Sequence, residues 1–398
     1  MNSSDLISID NEYVVNTYNR FPIALLNGHG AVCTDLDGKK YIDFGSGIGT
    51  NSLGFCDYDW ANAVTAQINE LQHTSNLFYT VPDALLARRL CQLTGYSKVF
   101  FGNSGAEANE CAIKIARKYG SDKKGADCYN ILTIENSFHG RTITTLSATG
   151  QEIFHHHFHP FTQGFKYIPV NDKDSLRKSV DSSVCAIMIE LVQGEGGVTV
   201  LNKEYVKFIE QLCKENDILL IVDEVQTGIG RTGTFLCCEQ YGIHPNIITL
   251  AKGLGAGLPI GAVLMDEQTQ SVLNFGQHGS TFGGNPVVCA GAIEVVRKIS
   301  DDEFLADVKS KGEYLKERIM SLPCVTKVLG LGLMLGITLD STLDIHAVAE
   351  KCVENGLLIL TAKNKLRLLP PLNITKNEID AGIEILYKTL NEFRKKQL

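Results

Sequence analysis

Hydrophobic and polar residues follow two periods along most of the chain, and together they predict an α/β protein. Short apolar runs rich in branched residues are typical of strands buried on both faces. They predict strands at 99–101, 130–134, 165–170, 184–191, 218–222 and 247–251. Apolar residues at helical spacing predict helices at 61–71, 84–93, 105–119, 203–215 and 286–299. Strands that alternate with helices indicate right-handed crossovers in a mostly parallel sheet.

The two ends of the chain show another pattern. Residues 1 to about 60 look extended and rich in turns, and Asp37-Gly38 between two short apolar runs predicts a hairpin. The last hundred residues mix helices with short strands at 333–338, 357–360 and 365–368. A chain of 398 residues exceeds what one hydrophobic core usually supports. We therefore predict a large domain at 61–297 and a small α+β domain formed by both ends, 1–60 and 298–398.

Composition excludes several classes of partner. The net charge is −8, with 44% hydrophobic and 21% charged residues, which is ordinary for a globular protein and argues against nucleic acid or an anionic membrane. No apolar run approaches the roughly 20 residues that span a bilayer, and the first residues do not resemble a signal peptide. Twelve scattered cysteines without a Cys-x-x-Cys pair favour reduced thiols. We therefore expect a cytoplasmic protein.

Two of the predicted strands each end in one ionisable residue, Asp223 after 218–222 and Lys252 after 247–251. Open α/β sheets bind ligands at the carboxyl ends of their strands. There, a lysine could form a Schiff base with the aldehyde of pyridoxal 5′-phosphate, and an aspartate could keep its pyridine nitrogen protonated. The alternative interpretation of this pattern is a structural ion pair between the two side chains.

The segment Phe101–Glu110 combines a strand end, a turn of small residues and the start of a helix. Backbone N–H groups at a helix N-terminus can bind phosphate. Gly105 would allow a close approach of the backbone, and Ser104 could cap the helix or bond the phosphate. Taken alone, the same segment also fits an ordinary N-cap.

Two other motifs do not predict ligand sites. The histidines at 155–157 and 159 lack a carboxylate or thiol ligand set with regular spacing, so a solvated loop is expected and no metal. Gly45-x-Gly47-x-Gly49 lacks the helix and the later acidic residue of a dinucleotide fingerprint. We therefore do not expect NAD.

Several segments together resemble the class III, pyridoxal-phosphate-dependent aminotransferases. Besides 103–110, they are 137–142, 193–197, 222–228, 251–253 and 278–286, in the order of the family and covering about residues 12 to 375. The resemblance implies the aspartate-aminotransferase-like fold, fold type I of the pyridoxal-phosphate enzymes. Its large domain would hold a seven-stranded, mostly parallel sheet.

The resemblance also implies roles around the cofactor ring. Lys252 would form the Schiff base and, once displaced by substrate, move the proton of the reaction. Asp223 would hold the ring nitrogen protonated. Phe138 would stack on the ring face, and Gln226 would bond the ring hydroxyl.

The phosphate would be held from two subunits. Ser104, Gly105 and Ala106 would bind it at the helix start, although Ala106 stands where the family often has a threonine. Thr281 would reach the phosphate of the neighbouring subunit. The resemblance therefore implies a homodimer with shared active sites.

Carboxylate recognition calls for arginine, which can donate two parallel hydrogen bonds. By resemblance, Arg141 binds the carboxylate of the amino donor, and Arg367 binds the α-carboxylate of glutamate and 2-oxoglutarate. We expect Glu195 to pair with Arg367 while the acylated substrate is bound and to release it for glutamate. Tyr18 and Ser280 are expected on the substrate side.

The resemblance further indicates the reaction. Residues 73–79 and 367–371 are most similar to the branch of the family that uses N-acetylornithine, and Ile48 stands where ornithine δ-aminotransferases have a tyrosine. The expected ping-pong reaction converts N-acetylornithine and 2-oxoglutarate into N-acetylglutamate 5-semialdehyde and glutamate, within arginine biosynthesis. Other amine donors remain alternatives, namely 4-aminobutyrate, ornithine, succinylornithine or N-succinyl-diaminopimelate. An aminomutase, a decarboxylase and a cofactor-binding protein without turnover are alternatives from other classes.

Overall fold

The computed structural model describes residues 1–395. Its strands are β1 Leu25–His29, β2 Val32–Asp35, β3 Lys40–Asp43, β4 Lys98–Gly102, β5 Asn130–Ile134, β6 Phe165–Ile168, β7 Val184–Ile189, β8 Val192–Gln193, β9 Thr199–Val200, β10 Leu219–Asp223, β11 Ile247–Leu250, β12 Gly261–Met265, β13 Val325–Leu331, β14 Met334–Leu339, β15 Leu357–Leu358, β16 Leu360–Ala362 and β17 Lys365–Leu368. Its α-helices are α1 Ser3–Tyr13, α2 Ser46–Gly49, α3 Tyr58–Glu70, α4 Val81–Thr94, α5 Gly105–Lys124, α6 Ile143–Ala148, α7 Lys173–Ser179, α8 Lys203–Glu215, α9 Cys238–Tyr241, α10 Pro286–Ile299, α11 Asp302–Met320, α12 Ile345–Glu354 and α13 Lys376–Lys395. None of these helices is both long and apolar enough to cross a membrane.

A seven-stranded sheet with the order β4-β12-β11-β10-β7-β5-β6 lies at the centre of the large unit. β12 runs antiparallel to both of its neighbours, and the other strands run parallel to one another. The predicted fold class is therefore confirmed. β12 is absent from our sequence prediction, because its short apolar run follows a stretch of glycines that looked like loop.

The predicted helix at 203–215 is observed as α8, and its buried face consists of the expected apolar residues. Like the buried faces of other helices, this face packs into the main hydrophobic core beneath the sheet. Helix α10 also begins where Pro286 predicted, because Asn285 accepts hydrogen bonds from the N–H groups of Val287 and Val288. These caps and faces fix the helices around the strand ends.

Both ends of the chain meet in a second sheet, in the order β1-β2-β3-β15, where Ile42 is aligned with Leu357. The hairpin at Asp37-Gly38 is confirmed, with Gly38 at a φ of +85°. β13, β14, β17 and β16 form a further sheet. The division at 61–297 stays a prediction, and residues 396–398 of the predicted small domain lie outside the described residues.

The expectation that residues 1 to about 60 are extended is wrong for α1, which spans Ser3–Tyr13. Asn2 Oδ1 accepts a hydrogen bond from the Asp5 N–H, and Asp5 Oδ2 accepts one from the Asn2 N–H. This reciprocal capping box satisfies N–H groups that would otherwise lack a partner at the helix start. The local capping signal therefore outweighs the weak hydrophobic pattern of this segment.

Candidate active site

A cavity of about 440 Å³ opens at the carboxyl ends of β10 and β11, beside the start of α5. This is the edge at which ligands bind in open α/β sheets. The cavity brings together predicted site residues from five separate segments of the sequence. They are Ser104, Gly105, Ala106, Phe138, Arg141, Glu195, Asp223, Gln226 and Lys252.

Asp223 is the last residue of β10, and its buried carboxylate accepts three hydrogen bonds. Oδ2 lies 2.8 Å from His139 Nδ1 and 2.8 Å from Asn109 Nδ2, while Oδ1 accepts the Val225 N–H at 3.0 Å. A carboxylate oxygen has two acceptor lone pairs, so Oδ1 can still accept a further N–H. His139 and Asn109 are missing from our sequence prediction, although both lie within segments that resembled the family.

Lys252 follows β11 with a φ of +41° and reaches into the cavity wall. The surrounding protein removes water from the amine, and this desolvation lowers the pKa of Lys252 to about 8. The carboxylate charge of Glu195 opposes this effect, whereas the charge of Arg367 adds to it. A substantial fraction of the amine is therefore neutral near pH 8, and the neutral form is the one that attacks a carbonyl carbon.

The start of α5 forms one end of the cavity. Ser104 Oγ accepts the Glu107 N–H at 3.1 Å, and Glu107 Oε2 accepts the Asn103 N–H at 2.8 Å. The two helical N–H groups before Glu107 have no partner within the helix, so they can point at an anion. A Cβ at Gly105 would lie only 2.8 Å from Val225 Cγ1. Glycine therefore permits the close packing of this turn against the segment after β10.

Arg367 lies on β17, is 3% exposed, and pairs with Glu195. Its Nη1 donates to Glu195 Oε1 at 2.5 Å and lies 3.4 Å from Gln226 Oε1. Burial would raise the pKa of Glu195, but the charge and hydrogen bond of Arg367 outweigh it and lower that pKa. Within residues 1–395, Arg367 Nε has no hydrogen-bond partner although it is buried. The guanidinium therefore retains capacity for a second carboxylate.

Arg141 approaches the cavity from the segment before α6. Its guanidinium carbon lies 4.5 Å from the centre of the Phe154 ring and 5.5 Å from the centre of the Phe138 ring. The side chain is exposed and lines the cavity at Phe138. Two aromatic faces therefore orient this cation by cation–π contact while its N–H groups stay available for an anion.

Glu190 follows β7, lines the cavity, and was not predicted from the sequence. Its Oε1 accepts the Phe138 N–H at 2.8 Å, and its Oε2 accepts the Gly194 N–H at 3.3 Å. Burial raises the pKa of Glu190 to about 7, and the charge of Asp223 acts in the same direction. One carboxyl group thus joins the segment that carries Phe138 to the loop that carries Glu195.

Apart from Arg367, three predicted site residues do not line this cavity. Tyr18 is 70% exposed and lies against Arg20 in a separate groove near the N-terminus. Ser280 lies at the rim, where its Oγ accepts a hydrogen bond from Asn103 Nδ2 at 3.0 Å. Thr281 is exposed. One chain therefore does not bring Tyr18 or Thr281 to its own cavity.

The histidine-rich segment forms a loop in which His156, His157 and His159 are exposed. His155 Nε2 lies 2.9 Å from the carbonyl oxygen of Leu146. Among the described residues, no group of three or more histidine, cysteine, aspartate or glutamate side chains is arranged to hold a metal ion.

One edge of the sheet carries a lysine of lowered pKa, a buried aspartate and a helix N-terminus that can bind phosphate. This combination defines a pyridoxal-phosphate-dependent transferase of fold type I. The family model for class-III aminotransferases matches residues 13–390, and the chain belongs to this family. The predicted resemblance and cofactor are thereby confirmed, and the protein is a transaminase.

The known proteins that are similar to this chain include acetylornithine and ornithine aminotransferases. The chain is 50% identical to the acetylornithine aminotransferase of Haemophilus ducreyi over 98% of this chain and 100% of that protein. It is 47% identical to the acetylornithine aminotransferase of Caldanaerobacter subterraneus, with the same coverage. Among solved structures, the ornithine aminotransferase of Toxoplasma gondii matches with a TM-score of 0.95 at 33% identity, covering 100% of this chain and 96% of that one. The N-acetylornithine aminotransferase of Stenotrophomonas maltophilia matches at 0.85 and 34%, covering 98% and 100%.

Proposed function

We propose that this enzyme transfers the δ-amino group of N-acetylornithine to 2-oxoglutarate, forming N-acetylglutamate 5-semialdehyde and glutamate in a ping-pong reaction. The observation that carries the proposal is the pairing of the buried Arg367 with Glu195, which lines the same cavity as Lys252 and Arg141. A transaminase accepts two different substrates in one pocket, so one carboxylate-binding arginine must be available for one substrate and neutralised for the other.

The residues of the cavity fit pyridoxal phosphate. The free acceptor capacity of Asp223 suits a protonated pyridine nitrogen, and the helix start at Gly105 suits a phosphate. When bound, this cofactor supplies an electron sink for negative charge at the substrate carbon. The residues that we expect to hold it are Ser104, Gly105, Ala106, Phe138, Asp223, Gln226 and Lys252.

Lys252 carries the proton chemistry in this proposal. Its amine would hold the cofactor at the aldehyde carbon. Once displaced by substrate, the neutral amine would move a proton between the substrate carbon and the cofactor. The lowered pKa of about 8 suits both tasks, because a base near its own pKa can accept and return a proton. Asp223 keeps the ring proton in place through its negative charge.

The two arginines read the substrates. Arg141 binds the α-carboxylate of N-acetylornithine, whose far amino group then reaches Lys252. Arg367 stays paired with Glu195 during this half-reaction. When glutamate binds through its α-carboxylate, Glu195 releases Arg367, whose unpartnered Nε marks its remaining capacity.

One residue outside the cofactor site supports the choice of donor. Ile48, in α2, is aliphatic at the position where ornithine δ-aminotransferases carry a tyrosine, so a free α-amino group would lack a polar partner there. We place Tyr18 on the substrate side. It would reach the substrate either by a movement of the N-terminal segment or from the second subunit. Ser280 completes the rim next to Asn103.

We further propose a homodimer. Leu77, Phe78, Tyr79, Phe275 and Phe282 are all exposed, and their two segments meet where Asn76 Nδ2 donates to the carbonyl oxygens of Ser280 and Gly283, both at 2.9 Å. A large exposed apolar patch is typical of a protein interface. A second copy covering this patch would bring Thr281 to the phosphate of its partner.

The metabolic setting follows from the reaction. The product semialdehyde and the acylated donor belong to arginine biosynthesis, and we propose that the enzyme acts in the cytoplasm. The twelve cysteines are all free within the described residues, which is the state maintained in a reducing compartment.

Steady-state kinetics with three amine donors test the proposal. We expect kcat/KM for N-acetylornithine to exceed that for ornithine and 4-aminobutyrate by about 100-fold, because 4-aminobutyrate lacks the α-carboxylate and ornithine presents an unpaired charge. A lead for 4-aminobutyrate would contradict the donor assignment. Turnover that does not depend on 2-oxoglutarate would indicate a mutase or decarboxylase instead, and binding of cofactor without any amine conversion would indicate a non-catalytic protein.

A further inference from the structure

Glu195 lies in a tight loop, Gly194–Val198, that joins β8 to β9. The loop is held at both ends by charged side chains from different parts of the fold. At its start, the Gly194 N–H donates to Glu190 Oε2 at 3.3 Å. At its end, the Gly197 carbonyl oxygen accepts a hydrogen bond from Lys365 Nζ at 2.8 Å.

The end of this loop has an unusual backbone. Gly197 has a φ of +88°, and the next residue, Val198, has a φ of +53°, which is rare for a β-branched residue. Val198 is fully buried, and a Cβ at Gly336 of β14 would lie 2.7 Å from Val198 Cβ. The neighbouring sheet therefore imposes this conformation, since such strain persists only where surrounding contacts over-determine it.

Lys365 and Arg367 are alternate residues of β17, so their side chains project from the same face. Leu366 and Leu368 occupy the other face and are fully buried. One strand thus holds the backbone of the loop through Lys365 and the carboxylate of Glu195 through Arg367. Both contacts therefore start from the same strand, which places the loop backbone and the Glu195 carboxylate relative to each other.

We propose that Lys365 is a positioning residue that sets the balance between the two substrates. It holds the Gly197 carbonyl so that Glu195 stays within reach of Arg367, and it confines the release of Arg367 to a swing of the Glu195 side chain. This inference rests on the proposed role of the Arg367–Glu195 pair. Lys365 touches neither substrate nor cofactor in this assignment, and it acts only through the loop.

The test compares single-turnover rates of the two half-reactions in the holoenzyme, with N-acetylornithine and with glutamate. In Lys365→Met the loop loses the hydrogen bond to the Gly197 carbonyl oxygen. We therefore expect the ratio of the N-acetylornithine rate constant to the glutamate rate constant to fall about tenfold, which is the effect of losing one charged hydrogen bond. Lys365→Arg should restore most of the ratio, because a guanidinium can also donate to the carbonyl. Equal changes in both half-reactions would overturn the proposal.

Lys327 provides the matched control. It is exposed on β13, and its charge is close enough to Lys365 to lower the pKa of that amine, although burial is the larger cause. Lys327→Met removes a neighbouring positive charge without touching the loop anchor, so the ratio should stay unchanged. If Lys327→Met shifts the ratio as much as Lys365→Met, the effect is one of general charge and the proposal is wrong.

A double-mutant cycle separates this inference from the proposed function. If Lys365 acts through Glu195, then Lys365→Met should leave the ratio unchanged in a Glu195→Gln background, since residues that act through one shared backbone segment are coupled. A tenfold effect that persists in that background would overturn the inference. Failure of the wild-type enzyme to use N-acetylornithine would instead contradict the proposed function, because that measurement does not involve Lys365.

Discussion

His139 and Asp223 are joined by a contact of 2.8 Å between Nδ1 and Oδ2, in the buried wall of the cavity. Asn109 Nδ2 donates to the same oxygen from α5. Because both donors hold Oδ2, the carboxylate presents its Oδ1 side to the cavity with a fixed orientation. The negative charge that would face the cofactor nitrogen is therefore positioned by two other residues, which also line the cavity.

Replacing Asp223 with asparagine should slow the reaction far more than removing either hydrogen-bond donor to its Oδ2. Asparagine retains the shape but not the charge, so it cannot keep a ring proton in place, and loss of a buried charge partner costs about 3–5 kcal/mol. We expect Asp223→Asn to slow the N-acetylornithine half-reaction by about 10³-fold in single-turnover kinetics.

Asn109→Ala is the matched control for that variant. It removes one hydrogen bond to the same oxygen but leaves the charge, and a single hydrogen bond to a charged group contributes about 1.5–3 kcal/mol. The half-reaction should therefore slow by a factor of roughly 10 to 100. A loss in Asn109→Ala as large as in Asp223→Asn would show that geometry, and not charge, is the main contribution of this carboxylate.

Loading of the apoenzyme with cofactor should depend on pH through Lys252. Only the neutral amine attacks the aldehyde, and the pKa of Lys252 is lowered to about 8 mainly by desolvation. The neutral fraction grows as pH rises through that pKa. The second-order rate constant of cofactor loading, followed by absorbance, should therefore rise with pH, with a midpoint at about pH 8, and level off at higher pH.

Two variants should move this midpoint in opposite directions. The negative charge of Glu195 raises the pKa of Lys252, so Glu195→Gln should shift the midpoint to lower pH. The positive charge of Arg367 lowers that pKa, so Arg367→Met should shift the midpoint to higher pH. Shifts of the same sign in both variants would contradict the electrostatic explanation.

Glu195→Gln should also change the preference between the two half-reactions. Without its negative charge the side chain neutralises Arg367 less well, so Arg367 is freer to bind an α-carboxylate. We expect the ratio of the glutamate rate constant to the N-acetylornithine rate constant to rise about tenfold. This is the effect expected for one charged hydrogen bond. If both half-reactions keep their relative rates in this variant, the switch does not exist.

Mixing two inactive variants should restore activity if the active sites are shared. Lys252→Ala removes the amine of its own site, and Thr281→Asp places a negative charge at the phosphate of the partner's site. A hybrid dimer then contains one site with both defects and one site with neither. After unfolding and refolding together, the mixture should regain about a quarter of wild-type activity, because about half of the dimers formed at random are hybrids.

Each variant refolded alone is the control for that mixture and should remain inactive. Recovery should require exchange of subunits, so simple mixing of native dimers should recover more slowly than joint refolding. A mixture that stays inactive despite the presence of hybrid dimers would contradict the assignment of Thr281 to the neighbouring site.

Strong periodicity made the central part of the fold predictable. The helix at 203–215 and the strand at 130–134 were predicted with the bounds that the structure shows, because both combine a clear hydrophobic pattern with distinct ends. The placement of Asp223 and Lys252 at neighbouring strand ends followed from the same pattern, since β10 and β11 are adjacent and parallel.

Residues that act through contacts between distant segments could not be predicted this way. Glu190 and His139 carry no local signal, because a single acid or histidine after a strand has many common uses. Their importance depends on which backbone N–H or carboxylate the fold brings within 3 Å, as with Phe138 and Asp223. The antiparallel strand β12 and the capped helix α1 were missed for a different reason, since their hydrophobic patterns are short or weak.

The pairing of β3 with β15 also sets an order for the co-translational folding of this protein. Ile42 leaves the ribosome more than three hundred residues before its sheet partner Leu357. During synthesis, the central sheet can assemble as its own strands emerge, whereas the first strands must wait for the distal segment. A nascent chain halted shortly before Leu357 would therefore hold all strands of the central sheet, while β3 still lacks its partner β15.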